Sequence, residues 1–376
     1  MKQRIYADNA ATTKLDPEAF EAMKPWLLEE YGNASQPYSF ARKPKKALAE
    51  ARATIAACIN AHPEEIFFTS GGTESDNWAI KGSAFSDPEH RATITSAFEH
   101  HAVLRSCAAI ERLGYPVAYL SPTPEGQITP ANLESVITDN TRLVSIMFVN
   151  NEIGSIQPIK ELCAVAHAHG ALFHTDAVQA VGHVKIDVQE LGIDMLSASA
   201  HKFNGPKGIG FLYIRKGVEL SAYIDGGSQE RGHRAGTENT AAIVGMATAL
   251  KNNCDYLKQN QMHLFALEDQ LLHGLRDSGV VFFRNGGANT LPGLVSLSFP
   301  GKDGEAIFHR MDLMGVLIST GAACNSKSTE ASHVLQAIKL DAYVAFGTIR
   351  ISFCKYNSKE DVSIIVSSLV RLNENL

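Results

Sequence analysis

Ser197-Ala-Ser-Ala-His-Lys-Phe-Asn-Gly-Pro-Lys-Gly-Ile-Gly210 is the stretch from which the fold of this chain is read. A run of small residues leads to His201 and Lys202. The chain turns at Asn204-Gly205-Pro206 and leaves as an apolar strand, Ile209 to Ile214. A lysine between a strand end and a tight turn has a stiff backbone and an amine directed into a cleft. That setting suits a Schiff-base lysine, whose amine must be desolvated enough to lose its proton near neutral pH. Most lysines are exposed, so Lys202 alone would be a solvated turn residue. The neighbouring stretches supply what a reactive amine needs.

Working outward, strand-like segments alternate with helical ones. Ile66–Ser70, Ala92–Ser96, Val117–Leu120, Leu143–Phe148, Leu172–Thr175, Met195–Ala198 and Ile209–Ile214 read as strands. Helical stretches lie between them, such as Ile159–His169, with Ile159, Leu162, Cys163 and Ala166 on one face and Gly170 as a stop. Strand–helix alternation predicts an α/β domain with a largely parallel sheet, whose ligands bind at the strand C-termini. Polar clusters sit at those ends: Glu99-His100-His101, Asn150-Asn151-Glu152, Asp176-Ala-Val-Gln179 and His201-Lys202. Singly, each has a structural explanation as a core hydrogen bond, a cap or a turn. Together, at the strand ends of one sheet, they converge on one cleft. Gly71-Gly72-Thr73 follows Ile66–Ser70 and opens a helix, which outlines an anion site of free N–H groups at a positive helix end. Its spacing is neither Walker nor Rossmann, which disfavours ATP and NAD.

Before the sheet, Ile5–Thr13 reads as an extended lead into a polar turn, Asp8-Asn-Ala-Ala-Thr-Thr13. Helices follow at Pro17–Leu28 and Lys46–Ile59, separated by a loop, Tyr31–Pro37, in which Asn33 and Ser35 offer polar side chains. Beyond about residue 255 the pattern changes. Leu264, Leu267, Leu271 and Leu275 form a helical stripe. Short strands at Val280–Phe283, Leu294–Phe299, Val316–Ile318 and Thr348–Phe353 mix with helices at Glu305–Met311, Ser332–Ile338 and Asp361–Leu372, as in a smaller α+β domain. Arg350 lies in an otherwise apolar strand, and an inward arginine needs an anion, best a bidentate carboxylate. Ser319–Glu330 is small, polar and glycine-containing, so a mobile loop is expected there. Cys324 sits in its middle, where a thiolate would be exposed and reactive.

With 376 residues the chain exceeds what one hydrophobic core usually takes, so two domains are expected. A net charge of −6 gives no reason to expect nucleic acid as a partner. No apolar run reaches the length of a membrane span. The first residues lack the apolar core of a signal peptide. The six cysteines stand singly, with neither disulfide-framework nor zinc spacing. Cytoplasmic localisation is the expectation. A Schiff-base lysine, a phosphate site, an acid for a ring nitrogen, a nearby histidine, a carboxylate-binding arginine and a thiol together fit a pyridoxal phosphate enzyme acting on an amino acid. The thiol is superfluous for transamination and points to sulfur chemistry.

Seven motifs carry a family resemblance. They are Tyr6-Ala-Asp-Asn-Ala-Ala-Thr-Thr13, Thr69-Ser-Gly-Gly-Thr-Glu-Ser-Asp-Asn77, Val149-Asn-Asn-Glu-Ile-Gly154 and His174-Thr-Asp-Ala-Val-Gln-Ala-Val-Gly182. Ser199-Ala-His-Lys-Phe-Asn-Gly-Pro-Lys-Gly208, Gln229-Glu-Arg-Gly-His-Arg-Ala-Gly-Thr-Glu-Asn239 and Thr320-Gly-Ala-Ala-Cys-Asn-Ser326 complete the set. In this order, over essentially the whole chain, the sequence resembles the cysteine desulfurases of the NifS/IscS type, in the class V aminotransferase group.

The resemblance implies an α/β fold, PLP-dependent transferase fold type I. A large PLP-binding domain (15–255) holds a mostly parallel central sheet. A smaller α+β domain (1–14 with 256–376) carries the cysteine loop at about 320–331. It implies pyridoxal 5′-phosphate on Lys202, with Asp176 at the pyridine nitrogen, Gln179 at the ring hydroxyl, His100 stacked on the ring and Asn151 in contact. Gly72, Thr73, Ser199 and His201 would hold the phosphate, with Thr237 reaching it from the other subunit of a homodimer. Arg350, with Asn33 second, would bind the carboxylate of L-cysteine. Cys324 would attack the substrate sulfur at a ketimine, release L-alanine and keep a persulfide for an acceptor, either an iron–sulfur scaffold or a tRNA-thiolation enzyme. No resident metal is implied, although Cys324 could transiently ligate an iron–sulfur cluster.

The chain departs from the family pattern at Tyr38, where histidine is common, and at Ala34, Ala41, Ser228 and Ala331, which bear on substrate entry and acceptor docking. Selenocysteine lyase, another class V enzyme and a non-catalytic sulfur carrier are the alternatives. Intact Lys202 and Asp176 argue against the carrier.

Overall fold

The computed structural model describes residues 4–87, 92–320 and 331–375. The chain opens with strand β1 (Ile5–Tyr6) and helices α1 (Pro17–Leu28) and α2 (Arg42–Cys58). Strand–helix alternation follows through β2 (Ile66–Thr69), α3 (Gly72–Ser86), β3 (Ala92–Ser96), α4 (His101–Glu111), β4 (Val117–Leu120), α5 (Pro130–Glu134), β5 (Thr141–Ser145), α6 (Ile159–Ala168), β6 (Leu172–Asp176), α7 (Val188–Leu191), β7 (Met195–Ser199) and β8 (Gly210–Ile214). Helices α8 (Thr240–Asp255) and α9 (Leu257–Asp277) lead to the last elements. These are β9 (Phe283–Arg284), β10 (Leu294–Ser298), α10 (Gly304–Leu313), β11 (Val316–Leu317), β12 (Ser319–Thr320), α11 (His333–Ala337), α12 (Ala342–Ala345), β13 (Thr348–Ser352) and α13 (Lys359–Asn375).

The central sheet has seven strands in the order β2-β8-β7-β6-β5-β3-β4. Strand β8 runs antiparallel to both neighbours, and every other pairing within β7-β6-β5-β3-β4 is parallel. The inner strands of the sheet and β2 are buried on both faces, which is why β2 and β8 read as near-continuous apolar runs. Because only β8 is reversed, the C-terminal ends of the other six strands share one edge. The polar clusters named above therefore lie together, as the α/β pattern predicts.

The helical stripe Leu264, Leu267, Leu271 and Leu275 is buried as expected, against Val295 and Leu297 of β10, Ile349 and Ile351 of β13, and Ile365 and Leu369 of α13. A four-stranded sheet, β12-β13-β10-β9, forms the scaffold of this second core, and β1 pairs in parallel with β11. Two strands differ from the sequence expectation. Val280–Phe283 is a strand only from Phe283, at the edge of the sheet, where it meets two residues of β10 and leaves Val281 exposed. Val316–Ile318 is split, because β11 pairs with β1 and the chain then changes sheets to pair β12 with β13. Val334, Leu335 and Ile338 pack into the core of the seven-stranded sheet instead of the second core. Among the described residues no helix is long and apolar enough to cross a membrane.

The site edge is packed backbone to backbone. A Cβ on Gly210, at the start of β8, would stand 2.3 Å from the Ala198 carbonyl oxygen and 2.7 Å from the Gly71 Cα. Neither neighbour can rotate away. Gly210→Ala is therefore expected to destabilise the fold by about 1–3 kcal/mol, read as a lower urea midpoint. A midpoint equal to that of the wild-type protein would show that the β7–β8–Gly71 junction is not close-packed.

Candidate active site

At the shared strand edge lies a cavity of about 360 Å³. Its walls bring together ten residues singled out in the sequence: Gly72, Thr73, His100, Asn151, Asp176, Gln179, Ser199, His201, Lys202 and Arg350. A second cavity of about 320 Å³ shares Gly72, Thr73, Ser199 and His201, and adds Thr12, Gly71 and Lys207. Two expected residues line neither. Asn33 makes a local turn, its Oδ1 accepting the Ser35 N–H at 2.9 Å, which is why its loop reads as polar. Thr237 is exposed in the segment before α8. Cys324 lies outside the described residues.

Lys202 ends a 3-10 turn, Ala200–Lys202, that follows β7 directly. Asn204 adopts φ 63° to turn the chain back, and its Nδ2 donates to the Lys14 carbonyl at 2.9 Å. The Lys202 Nζ donates to the Ala10 carbonyl and, at 3.0 Å, to that of Ala11. Gln179 Nε2 donates to the same Ala10 carbonyl at 2.8 Å. Asp176 is the last residue of β6, and its Oδ1 accepts the Val178 N–H at 2.9 Å. Burial raises its pKa, while His100, the Val178 N–H and Lys202 pull it back. His100 caps α4, with Nδ1 accepting the Ala102 N–H at 3.1 Å. Burial lowers its pKa, and because Nδ1 accepts the Ala102 N–H the ring carries its proton on Nε2.

The other end of the site is the N-terminus of α3, a place where N–H groups and the helix dipole favour an anion. A Cβ on Gly72 would lie 2.5 Å from Val178 Cγ2, so only glycine lets the helix start this close to the segment after Asp176. Opposite stand Ser199 and His201, whose Nδ1 is 3.1 Å from Thr12 Oγ1. Burial, with Lys202 and Lys207 adding, brings His201 down to about 4, so it is a neutral hydrogen-bonding group.

Arg350 is buried between Ile349 and Ile351 on β13. The anion it requires is Asp8, whose Oδ1 accepts from Nη2 at 2.7 Å. Nη1 donates to the Asn151 carbonyl at 2.8 Å, and Nε has no partner. Asn150, beside Asn151, is structural: it bonds the Phe98 carbonyl and the N–H groups of Glu152 and Ile153.

Four contributors, Asp8, Ala10, Ala11 and Asp76, had no role assigned from the sequence, and Glu99 was named only within its polar cluster. Asp8, Ala10 and Ala11 belong to the Tyr6–Thr13 motif, but two of them act through backbone carbonyls, which leave no side-chain signature. Asp76 lines the cavity one helical turn after Gly72, a spacing that could have found it. Glu99 lies beneath. Its Oε1 accepts from Ser96 Oγ at 2.6 Å and from the Met147 N–H at 2.9 Å, and burial pushes it up to about 8.

This donor set fits a phosphorylated pyridine aldehyde. It has an amine for the carbonyl, a carboxyl for the ring nitrogen, an amide beside the ring, and at the far end a helix terminus cleared by a glycine whose Cβ the packing would not admit. The buried Arg350, with an unpaired Nε, suits a second, carboxylate-bearing ligand.

The comparisons agree with this geometry. The family model described as aminotransferase class-V matches residues 5–365. A cysteine desulfurase IscS of Dictyoglomus turgidum is 46% identical over 378 residues, which is 100% of this chain and 96% of the relative. That of Methanosarcina thermophila is 44% identical, covering 99% and 92%. Among solved structures, a NifS-like protein superposes with a TM-score of 0.94 at 36% identity, covering all of both chains. The structure of SspA in complex with cysteine gives 0.84 at 39%, covering 94% and 100%. A lysine after β7, an acid closing β6 and a glycine-led helix in a chain alike over its whole length place this protein in the class-V aminotransferase family, among the cysteine desulfurases of the NifS/IscS type.

Proposed function

We propose that the chain is a pyridoxal 5′-phosphate-dependent cysteine desulfurase. It converts L-cysteine to L-alanine and passes the sulfur, as a persulfide on Cys324, to an acceptor protein. The observation that carries this is the convergence of Lys202, Asp176 and Arg350 on one cavity, in a chain alike over its full length to cysteine desulfurases. The complex of the related SspA with cysteine supports the choice of substrate.

Bound pyridoxal phosphate supplies an electron sink that makes the α-proton of an attached amino acid removable. The chain's residues do the rest. Gly72, Thr73, Ser199 and His201 would hold the phosphate, Asp176 would face the ring nitrogen, and Gln179, His100 and Asn151 would fix the ring. Lys202 Nζ, held by the Ala10 and Ala11 carbonyls, would supply the amine that holds the cofactor and, once free, the base that takes the substrate α-proton. His100 moves protons only through Nε2, because Nδ1 is occupied. Arg350 orients the substrate carboxylate, exchanging it for Asp8. The Cys324 thiolate attacks the substrate sulfur, forming an S–S bond as the C–S bond breaks with its electron pair left on carbon. Carbon takes up a proton and L-alanine leaves.

The working enzyme is a homodimer, with Thr237 of one protomer completing the phosphate site of the other. Exposed Phe20, Leu27, Leu28, Tyr31 and Phe40 near the N-terminal helices support an apolar contact between protomers. The acceptor is an iron–sulfur scaffold or a tRNA-thiolation enzyme, and the reducing cytoplasm keeps Cys324 a thiol.

Wild-type protein supplied with L-cysteine and a reductant is expected to release alanine and sulfide in equal amounts, and Cys324→Ala neither. Full activity in the variant would remove Cys324 from the sulfur path. Lys202→Ala is expected to emerge from purification without the yellow absorbance of a Schiff-base cofactor; a wild-type spectrum would show that another amine holds it. Arg350→Lys, which loses the bidentate geometry, should raise KM for cysteine about 10- to 100-fold, as expected for about 1.5–3 kcal/mol of charge-assisted bonding. An unchanged KM in steady-state assays would move the carboxylate site elsewhere.

A further inference from the structure

Asp76 has no part in the chemistry above, yet it is 1% exposed and lines the cavity from α3. Its Oδ1 has no hydrogen-bond partner. A carboxylate oxygen of Asp76, one of Asp176 and a ring nitrogen of His100 all lie within 4.8 Å of one another. The titratable and polar groups that face Asp76 come from two strands, from the turn before α4 and from α4 itself, which brings the Cys107 thiol. From β6 come His174, with Nε2 3.8 Å from Oδ1, and Asp176. From β7 comes the Ser197 hydroxyl, and from the turn before α4 come Glu99 and His100. Among the described residues, His174 is the only basic side chain within ion-pair distance of it.

His174 offers no positive charge. Its Nδ1 bonds Ser145 Oγ at 2.8 Å and its Nε2 bonds Ser197 Oγ at 2.9 Å, and burial brings it down to about 3. Asp76 and Asp176 are thus two carboxyls in one dry space, and such a pair keeps a proton between them. The two are not equivalent. Asp176 has the Val178 N–H as donor, with His100 and Lys202 on its side of the pocket. Asp76 has a hydroxyl and an unpaired oxygen. Burial and the charge of Asp176 both push Asp76 far above the usual carboxylate range.

We propose that Asp76 is a positioning residue, a neutral carboxylic acid that keeps the one proton of the pair so that Asp176 alone carries the negative charge facing the ring nitrogen of the cofactor. The identity of that ring rests on the proposed function; the protonation of Asp76 does not. A neutral acid behind Asp176 spares it a second negative neighbour, which would drive the proton onto Asp176 and leave the ring nitrogen facing a neutral group. In this arrangement Asn can replace Asp76 and Ala cannot.

The test begins with cofactor-free protein. The infrared difference between wild type and Asp76→Asn at pH 7 should contain the carbonyl band of a protonated carboxyl. A group whose pKa is raised by folding binds more protons folded than unfolded, so its contribution to stability is lost as pH rises. Wild type should therefore melt progressively lower relative to Asp76→Asn as pH rises through the ordinary carboxylate range toward neutrality. With cofactor, Asp76→Asn should bind pyridoxal phosphate within about twofold of wild type with an unshifted absorption maximum, whereas Asp76→Ala should bind about tenfold more weakly and with a shifted maximum. A carboxylate band in place of the acid band, Asn as damaging as Ala, or both variants indistinguishable from wild type would each overturn the assignment. The infrared and melting arms need only Asp76→Asn, so a misfolded Asp76→Ala leaves the question decidable. An acid band in a wild type that binds no pyridoxal phosphate would uphold the protonation while overturning both the proposed function and the positioning role.

Discussion

The turn Asp8–Thr13 holds the two cores in register, and the site exists because of the hydrogen bonds it makes to both. Toward the small sheet, Asn9 Nδ2 donates to the Ser352 carbonyl at 2.8 Å, the Ala10 N–H bonds Ser352 Oγ at 2.8 Å, and Asp8 takes the Arg350 guanidinium. Toward the large sheet, the Ala10 carbonyl accepts from Gln179 and Lys202, and both the Oγ1 and the N–H of Thr13 donate to the His201 carbonyl at 2.9 Å. One short segment thereby fixes the arginine of one sheet against the lysine of the other. Almost every one of these bonds uses a backbone group, so the geometry depends on the path of the chain more than on side-chain identity.

That division explains what could be read from the sequence. The alternation from Ile66 to Ile214 was legible because a sheet buried on both faces leaves continuous apolar runs, and helices leave a 3.6-residue period. The site at the strand ends followed, since Lys202, Asp176, His100 and Gly72 are reactive or permissive side chains placed where apolar runs stop. The expected strand at Val280–Phe283 fell short because an edge strand with one neighbour has little burial to mark it. Asp76 was overlooked because polar residues on a helix normally face water, and only its spacing of one turn from Gly72 marks it as facing the cavity. Asn33 showed the reverse, a polar loop residue whose side chain is spent on its own turn.

The electrostatics of the pocket have a consistent logic. Burial keeps His174 and His201 neutral and raises Glu99 to about 8. Groups that could carry charge are thus silenced where charge has no use, and a low-dielectric floor remains beneath Asp176 and Lys202. In such surroundings one charge more or less near Asp176 and Lys202 has a large effect, because water is not there to screen it. A pocket of this kind works by the number of its charges as much as by their positions.

The same scarcity bears on substrate choice. A guanidinium buried as deeply as Arg350 is never left without an anion, and Asp8 supplies one from within the chain. On the proposed function, a substrate carboxylate replaces one ion pair with another, and its net gain is limited to the second bond that Asp8, held through Nη2, does not make to the unpaired Nε. It also gains discrimination. On that reading an amine without a carboxylate would meet an arginine already neutralised and be given no orientation, whereas an amino acid would displace Asp8 and be turned so that its α-hydrogen faces Lys202. Binding energy that would deepen the ground state is in this way held back for placing the reacting bond.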